Sequence, residues 1–237
     1  MCKKVASDLM NVSVIMATYN GEKYIAEQLQ SIVSQLKEED ELIISDDGST
    51  DRTVEIASEF AKVRIVYGNH TGIADNFTNA LSYAKNQIVL FSDQDDIWLE
   101  GKIEKLREYY IQNQGVKVVM HNAGYIDGDG NVTPSDIFQK RKSKHGFFRN
   151  ILYSTYYGCC MGVRRDYLLS LIPVPKDVMY DQYIGACAEI DKVAAFIDEK
   201  LINHRYHSDN WSGRQRGAKQ IKIRMKLLLA VLRRQSK

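Results

Sequence analysis

The feature that most constrains the fold is an alternation of short apolar runs and amphipathic helical patterns through the first half of the chain. Residues 12–17, 42–45, 63–67 and 88–92 have the length and the apolar character of strands. The segments between them repeat apolar residues at helical spacing, as in residues 24–33. Repeated β-α units of this kind predict an α/β fold with a mostly parallel central sheet flanked by helices.

Length and composition favour one large domain with a small appendage. The chain has 237 residues, 44% of them hydrophobic, and a net charge of +2 that gives no reason to expect nucleic-acid binding. None of the four cysteines forms a CxxC motif, and the first residues lack the apolar stretch of a signal peptide. We therefore expect a cytoplasmic protein with reduced thiols, without a membrane-spanning helix.

Polar residues follow three of the predicted strands. They are Thr18-Tyr19-Asn20, Asp46-Asp47-Gly48 and the acidic run Asp93-Gln94-Asp95-Asp96. Ligands of open α/β sheets bind beyond the carboxyl ends of the strands, so these loops should converge on one crevice.

The acidic run suits a divalent cation. Three carboxylates within four positions repel one another unless a cation lies among them, and carboxylate oxygens suit Mg²⁺ or Mn²⁺ bound together with substrate phosphates. A solvated acidic loop would have the same composition.

The Asp46-Asp47-Gly48 turn also has two interpretations. An aspartate there could accept a hydrogen bond from a base or a ribose, but Asp-Gly is also ordinary turn chemistry.

The second half has a less regular pattern. We expect strands at residues 158–163 and 193–197, a hairpin turn at residues 127–130, a basic loop at residues 140–144 and a helix at residues 180–190. Two of its side chains are candidates for chemistry. Asp181 begins the helix and could simply cap it, and His207 is a loop histidine that could simply be solvated.

Taken in order, these segments resemble glycosyltransferase family 2, whose members invert the anomeric configuration and have the GT-A fold. The resemblance is carried by residues 13–20 (SVIMATYN), 44–51 (ISDDGSTD) and 91–98 (FSDQDDIW), and then by residues 158–161 (GCCM), 180–183 (YDQY) and 204–210 (HRYHSDN). It is closest to the bacterial members that build surface polysaccharides such as capsule and O-antigen, including rhamnosyltransferases.

The resemblance implies a role for each matching residue. Thr18, Tyr19, Asn20, Asp47, Asn76 and Asp93 would bind the nucleotide-sugar donor, with Asp47 on the pyrimidine and Asp93 near the ribose or the sugar. Asp95 would bind Mn²⁺ or Mg²⁺ on the diphosphate, and His207 would be a further metal ligand. Asp181 would be the general base that deprotonates the acceptor hydroxyl, in accord with the chemistry of an inverting transfer.

The resemblance leaves several assignments open. It implies a UDP- or dTDP-sugar as donor and a saccharide or lipid-linked oligosaccharide as acceptor, without deciding between them. A non-catalytic nucleotide-sugar-binding subunit of a polysaccharide assembly complex is the main alternative, although the presence of both Asp95 and Asp181 argues against it. A sugar nucleotidyltransferase is disfavoured because no Gly-rich, basic phosphate loop follows the first strand.

The two halves and the C-terminus are expected to have different tasks. Residues 1–216 would form the catalytic domain, with a nucleotide-sugar half at about 11–120 and an acceptor half at about 121–213, and residues 217–237 a basic amphipathic helix. In that helix Ile221, Met225, Leu228 and Leu232 form an apolar stripe beside the basic stripe Lys219, Lys222, Lys226 and Arg233. The apolar stripe could lie on an anionic membrane surface, pack on the catalytic domain or form a homodimer.

Overall fold

A computed structural model describes residues 10–175, 178–206 and 218–235 of the chain, with side chains from residue 220 onward in the last range. One mixed sheet of nine strands forms the centre, with helices packed on it. Its strands are β1 (Val12–Thr18), β2 (Glu41–Asp46), β3 (Val63–Tyr67), β4 (Ile88–Ser92), β5 (Ile97–Trp98), β6 (Val118–Ile126), β7 (Val132–Asp136), β8 (Met161–Arg164) and β9 (Ala194–Arg205). They are ordered β3-β2-β1-β4-β8-β6-β9-β5, and β7 pairs with β6.

The first half has the predicted βα alternation. Strands β1 to β4 run parallel, and β1 lies between β2 and β4. The connecting helices are α1 (Ile25–Val33), α2 (Thr53–Ser58) and α3 (Ile73–Tyr83), and α4 (Lys102–Gln112) follows β5. The central strands β1 and β4 are buried on both faces, which explains why they are almost continuously apolar in the sequence. The α/β architecture expected from the sequence is confirmed.

The second half is organised around β6. This strand pairs antiparallel with β8 and β7 and parallel with β9, while β8 joins it to β4 of the first half. The turn at residues 127–130 closes the β6–β7 hairpin as expected, with the Asp127 N–H donating to the Asn131 carbonyl over 3.1 Å. The helices of this half are α5 (Ile137–Arg141), α6 (Phe147–Tyr153), α7 (Arg165–Leu169) and α8 (Tyr180–Ile190).

Three local predictions in this half were wrong in part. Residues 158–160 form a 3₁₀ turn before β8, because the Cys160 N–H bonds back to the Tyr157 carbonyl over 3.0 Å. The expected basic loop begins inside α5, whose N-terminus is capped by the Asp136 carboxylate accepting from the Gln139 N–H over 2.9 Å. Strand β9 continues from the predicted apolar stretch to Arg205, because its polar residues pair with β6.

The C-terminal helix α9 (Ala218–Gln235) packs against α8 and α6. It does so through buried Leu227 and Val231 and through Arg234, whose Nη2 lies 2.7 Å from Asp191 Oδ2 at the end of α8. Within the ranges given above, no helix combines the length and the apolar character needed to span a bilayer.

Candidate active site

One wall of the cleft beyond the carboxyl ends of β1 to β4 is formed by Thr18, Asp46, Asp47 and Asn76, and we call it the β2 wall. Asp46 is buried and accepts hydrogen bonds from the Thr18 hydroxyl (2.8 Å), the Ser49 hydroxyl (2.6 Å) and the Ser49 N–H (2.8 Å). The Gly48 N–H donates to it as well, over 3.0 Å, in a turn where Gly48 has a φ of 90°. Asp46 therefore fastens the ends of β1 and β2 to the turn that follows.

Asp47 and Asn76 bring two oxygens together on the same wall. The Asp47 carboxylate accepts from the backbone N–H groups of His70 (2.8 Å) and Gly72 (3.1 Å). The buried Asn76 amide donates to the Ser45 carbonyl over 2.7 Å, and its Oδ1 has no hydrogen-bond partner among the described residues. A Cβ at Gly68 would lie 2.7 Å from both Asp47 Oδ1 and Asn76 Oδ1. The two predicted donor-binding residues thus direct acceptor oxygens to one small space.

Tyr19 and Asn20 lie at the rim of the cleft. The Tyr19 ring is exposed, while its backbone N–H and carbonyl are held by the Gln94 side chain at 3.0 and 3.1 Å. Asn20, at a φ of 48°, accepts from the Thr50 N–H over 2.8 Å and donates its own N–H to Ser49. These bonds join the polar loops after β1, β2 and β4, so the predicted convergence of the three loops is confirmed.

The opposite side of the cleft, which we call the acidic wall, contains Asp93, Asp95, Asp96, Asp181 and His204. Burial, together with the charges of Asp96 and Asp95, raises the pKa of Asp93 to about 8. Asp181 contributes to the same shift, so the two ends of the acidic wall interact electrostatically. Ionising Asp93 in this wall is therefore unfavourable, and a cation placed beside it would lower that cost.

Asp96 of this wall forms an ion pair with His204. Its Oδ1 lies 2.8 Å from His204 Nδ1 and accepts from the Arg205 N–H over 3.1 Å. The ion pair lowers the pKa of Asp96 and raises the pKa of His204 to about 10, so the imidazole is charged at neutral pH. Sequence reasoning missed this pair, which links residues 108 positions apart. The sequence signal that could have indicated His204 was the run at residues 204–206 (HRY), which is part of the family resemblance.

Cys159 also approaches this pair, so four potential ligand atoms, from Asp93, Asp96, Cys159 and His204, lie within 4.8 Å of one another. The set does not suit Mg²⁺ or Mn²⁺ as a whole. A thiol is a soft ligand, and the pKa of Cys159 is raised far above its ordinary value by its hydrogen bond to Cys160 and by burial, so it stays protonated. The carboxylates alone are hard oxygen donors, and buried Asp96 Oδ2 has no hydrogen-bond partner among the described residues.

Asp181 occupies the first turn of α8 and is buried. Burial raises the pKa of Asp181 to about 6, and hydrogen bonds from the backbone N–H groups of Gln182 and Gly158 limit the rise. The start of α8 is closely packed, since a Cβ on Gly158 would lie 1.7 Å from Tyr180 Oη. The Tyr180 ring in turn packs on Phe77 and Phe91, at centroid distances of 4.7 and 5.2 Å. Asp181 is therefore fixed in position and still ionised at neutral pH.

The cleft accordingly brings together most of the residues predicted from the sequence. Asp95 lies on the acidic wall, where its backbone carbonyl accepts from Arg205 Nε over 2.9 Å. His207, predicted as a further metal ligand, lies outside the described residues.

Cationic and aromatic side chains flank the cleft on the side of the second half. Arg141 lies over the Tyr157 ring, and Lys140 lies over the Tyr125 ring.

A cleft at the carboxyl ends of a parallel βα sheet, extended by a mixed second half that carries a further acid, is the arrangement of the GT-A fold. The family model described as glycosyl transferase family 2 matches residues 13–171, which is more than half of the chain. The chain belongs to this family.

The chain is similar to the dTDP-rhamnosyl transferase RfbG of Shigella flexneri, with 27% identity over 220 residues, covering 84% of this chain and 73% of that protein. Two other curated relatives are covered over only 66% and 42% of their length, so the relatives extend beyond the matched region.

Among solved structures, Staphylococcus aureus TarS 1–349 in complex with UDP-GlcNAc superimposes with a TM-score of 0.72 at 20% identity, covering 95% of this chain and 69% of that one. Glucosyl-3-phosphoglycerate synthase from Mycobacterium tuberculosis, in complex with Mn²⁺, UDP and glucosyl-3-phosphoglycerate, has a TM-score of 0.62 at 18% identity, covering 98% and 82%. At these identities the likeness concerns the fold.

Proposed function

We propose that this protein is an inverting glycosyltransferase that moves a sugar from a UDP- or dTDP-sugar to a hydroxyl of a saccharide or lipid-linked acceptor in bacterial polysaccharide synthesis. The observation that carries the proposal is the placement of Asp181. This buried carboxyl, with a pKa of about 6, interacts with an acidic wall suited to a cation at the end of β4. Asp181 would be the base that deprotonates the acceptor, and a cation at the acidic wall would stabilise the leaving diphosphate.

Asp181 is the general base of this proposal. A base with a pKa near 6 is ionised at neutral pH and is still basic enough to take a proton from a hydroxyl as that hydroxyl attacks the anomeric carbon. The same carboxyl at its ordinary pKa would be a weaker base. Hydrogen bonds from the backbone N–H groups of Gln182 and Gly158 hold the carboxylate in place, so that an acceptor hydroxyl can be aligned with it.

Asp95 would hold Mg²⁺ or Mn²⁺ on the donor diphosphate, with Asp93 beside it and His207 as a further ligand. Such an ion neutralises the charge that develops on the leaving diphosphate. The raised pKa of Asp93 supports the assignment, because a cation at the acidic wall would let all of its carboxylates ionise. The ion pair with His204 keeps Asp96 turned toward the protein, and we therefore assign Asp96 to positioning the wall rather than to binding the ion.

The β2 wall would bind the nucleoside. Thr18, Tyr19 and Asn20 would line the base site, and Asp47 would accept from the base N–H with the lone pairs left over from its two backbone hydrogen bonds. Asn76 would contribute to donor binding by positioning the wall, since its amide donates to the Ser45 carbonyl over 2.7 Å and its Oδ1 is buried. Both uracil and thymine have that N–H, so this wall accommodates either donor.

The test is turnover of UDP- and dTDP-sugars with lipid-linked and free saccharide acceptors. The Asp181→Asn variant should keep its affinity for nucleoside diphosphate and lose turnover by a factor on the order of 10² or more, since an amide cannot take the proton. Asp166→Asn is the matched control, because Asp166 lies on α7 and forms a surface ion pair with Lys117. Unchanged turnover in Asp181→Asn would refute the assignment. Donor binding without turnover in the wild type would favour a non-catalytic nucleotide-sugar-binding subunit.

A further inference from the structure

Helix α9 packs on the domain with one face and exposes apolar residues on another. Leu227 and Val231 are buried against the domain, so the helix is attached through a different set of residues from the apolar stripe in its sequence. Ile221 and Met225 of that stripe are 64% and 52% exposed, and Leu232 is exposed one to two turns further on. The stripe therefore does not serve to attach the helix to the catalytic domain, although Leu228 at its edge packs on the core.

Helix α6, which packs against α9, also carries exposed apolar residues. Phe148 and Leu152, one helical turn apart, are 75% and 54% exposed. Single exposed apolar residues are normal on a protein surface, but several large ones on two packed helices indicate a surface that binds something. We call this the α6–α9 surface.

The charges around the α6–α9 surface are basic. Neither α6 nor the described part of α9 contains an aspartate or a glutamate. Lys222 and Arg233 are exposed on α9, beside its apolar stripe, and Lys142 and Lys144 are exposed just before α6. An apolar stripe bordered by cations complements a layer of anionic headgroups above acyl chains.

We propose that the α6–α9 surface docks on an anionic lipid bilayer. The helix would lie in the plane of the interface, with Ile221, Met225 and Phe148 among the acyl chains and the cations at the headgroups. Asp191 at the end of α8 pairs with Arg234 of α9, and the first turn of α8 carries Asp181, so docking would fix the candidate base relative to the bilayer. This last consequence rests on the proposed function, whereas lipid binding itself does not.

The test is co-sedimentation of the full chain with vesicles of phosphatidylcholine alone or with 30 mol% phosphatidylglycerol, about the anionic fraction that gives a strong surface potential. We expect binding to the anionic vesicles, weakened at least about tenfold by Ile221→Glu or Phe148→Glu and by raised salt. Val132→Glu is the matched control, since Val132 is equally exposed (74%) but lies on β7. Because all three positions are exposed, the variants should keep the melting temperature of the wild type.

Three outcomes would overturn the proposal. They are no binding of the wild type to anionic vesicles, equal binding of Ile221→Glu and the wild type, and a homodimer that Ile221→Glu dissociates without any effect on lipid. The Asp181→Asn variant should bind vesicles as the wild type does, so a failure of the proposed catalysis would leave this result intact.

Discussion

The two walls of the cleft hold their acidic residues in different ways. On the β2 wall, Asp46 and Asp47 each accept hydrogen bonds from backbone N–H groups, and Asp46 also accepts from two hydroxyls. On the acidic wall, burial raises the pKa of Asp93 to about 8 and that of Asp181 to about 6, and repulsion by Asp96 and Asp95 adds to the shift of Asp93. The aspartates of the β2 wall are thus satisfied by hydrogen bonds without a ligand, whereas ionising Asp93 on the acidic wall is unfavourable unless a cation lies beside it.

Under the proposed function, the β2 wall would serve nucleoside binding and the acidic wall would serve the chemical step. A preformed hydrogen-bonded wall can bind a nucleoside with little reorganisation, which favours affinity. A wall of destabilised carboxylates reduces stability and, under the proposed function, would supply a cation site and a base with a suitable pKa. The following predictions test the comparison, from the largest expected effect to the smallest.

The largest effect should be on metal-dependent binding at the acidic wall. In the wild type, Mn²⁺ should tighten the binding of UDP or dTDP by about 100-fold, because the ion neutralises both the diphosphate and the carboxylates. Asp95→Ala should lose most of this gain when measured by calorimetry with and without Mn²⁺. Asp75→Ala, at an acid in the first turn of α3, is a control that should retain the gain. Equal enhancement in wild type and Asp95→Ala would remove Asp95 from the metal site.

Removing the charge from the β2 wall should destabilise the protein. Asp46→Asn keeps the size of the side chain but weakens hydrogen bonds that Asp46 accepts as an anion, and we expect a loss of about 2 kcal/mol in the free energy of unfolding. Urea unfolding followed by circular dichroism measures it. A variant as stable as the wild type would show that these bonds are not what holds the wall together.

The same substitution on the acidic wall should have the opposite sign. Asp93→Asn removes a carboxyl whose pKa of about 8 lies above its ordinary value of 3.8, and should stabilise the chelator-treated protein by about 1 kcal/mol at pH 8. Between these two pKa values the folded protein binds a proton that the unfolded chain releases, so wild-type stability falls as pH rises through this window. The gain from Asp93→Asn should therefore shrink at pH 5. A destabilised variant at pH 8 would contradict the account of electrostatic strain.

The smallest effect concerns the pH dependence of turnover. Since Asp181 must be ionised to act as a base, turnover at saturating substrates should fall as pH drops through about 6, and be about fourfold lower at pH 5.5 than at pH 7. Donor affinity should change less over this range, since the proposal assigns nucleoside binding to the β2 wall and not to Asp181. A turnover profile that is flat between pH 7 and pH 5.5 would exclude Asp181 as the base.

The regular half of the chain shows why its prediction succeeded. Strands β1 to β4 are short, buried and separated by amphipathic helices, so local periodicity defines each element within one or two residues. Parallel pairing then places the ends of these strands at one edge, which is why Thr18, Asp47 and the Asp93 run could be expected in one cleft. The second half lacks such periodicity. Strand β9 reaches Arg205 through polar residues that only pairing with β6 accounts for.

The sequence alone therefore determined the βα framework and the polar loops at the strand ends, because each depends on residues close together in the chain. The role of Asp181 as base was implied by the family resemblance and stays a prediction. The tertiary structure decided which acids are strained and which are satisfied, since a pKa depends on burial and on charges brought in from distant elements. It paired Asp96 with His204 across 108 positions, and it selected Leu227 and Val231 rather than Ile221 and Met225 as the attached face of α9. Those outcomes depend on the packing of whole elements against one another, and a local pattern contains no information about which of its faces will find a partner.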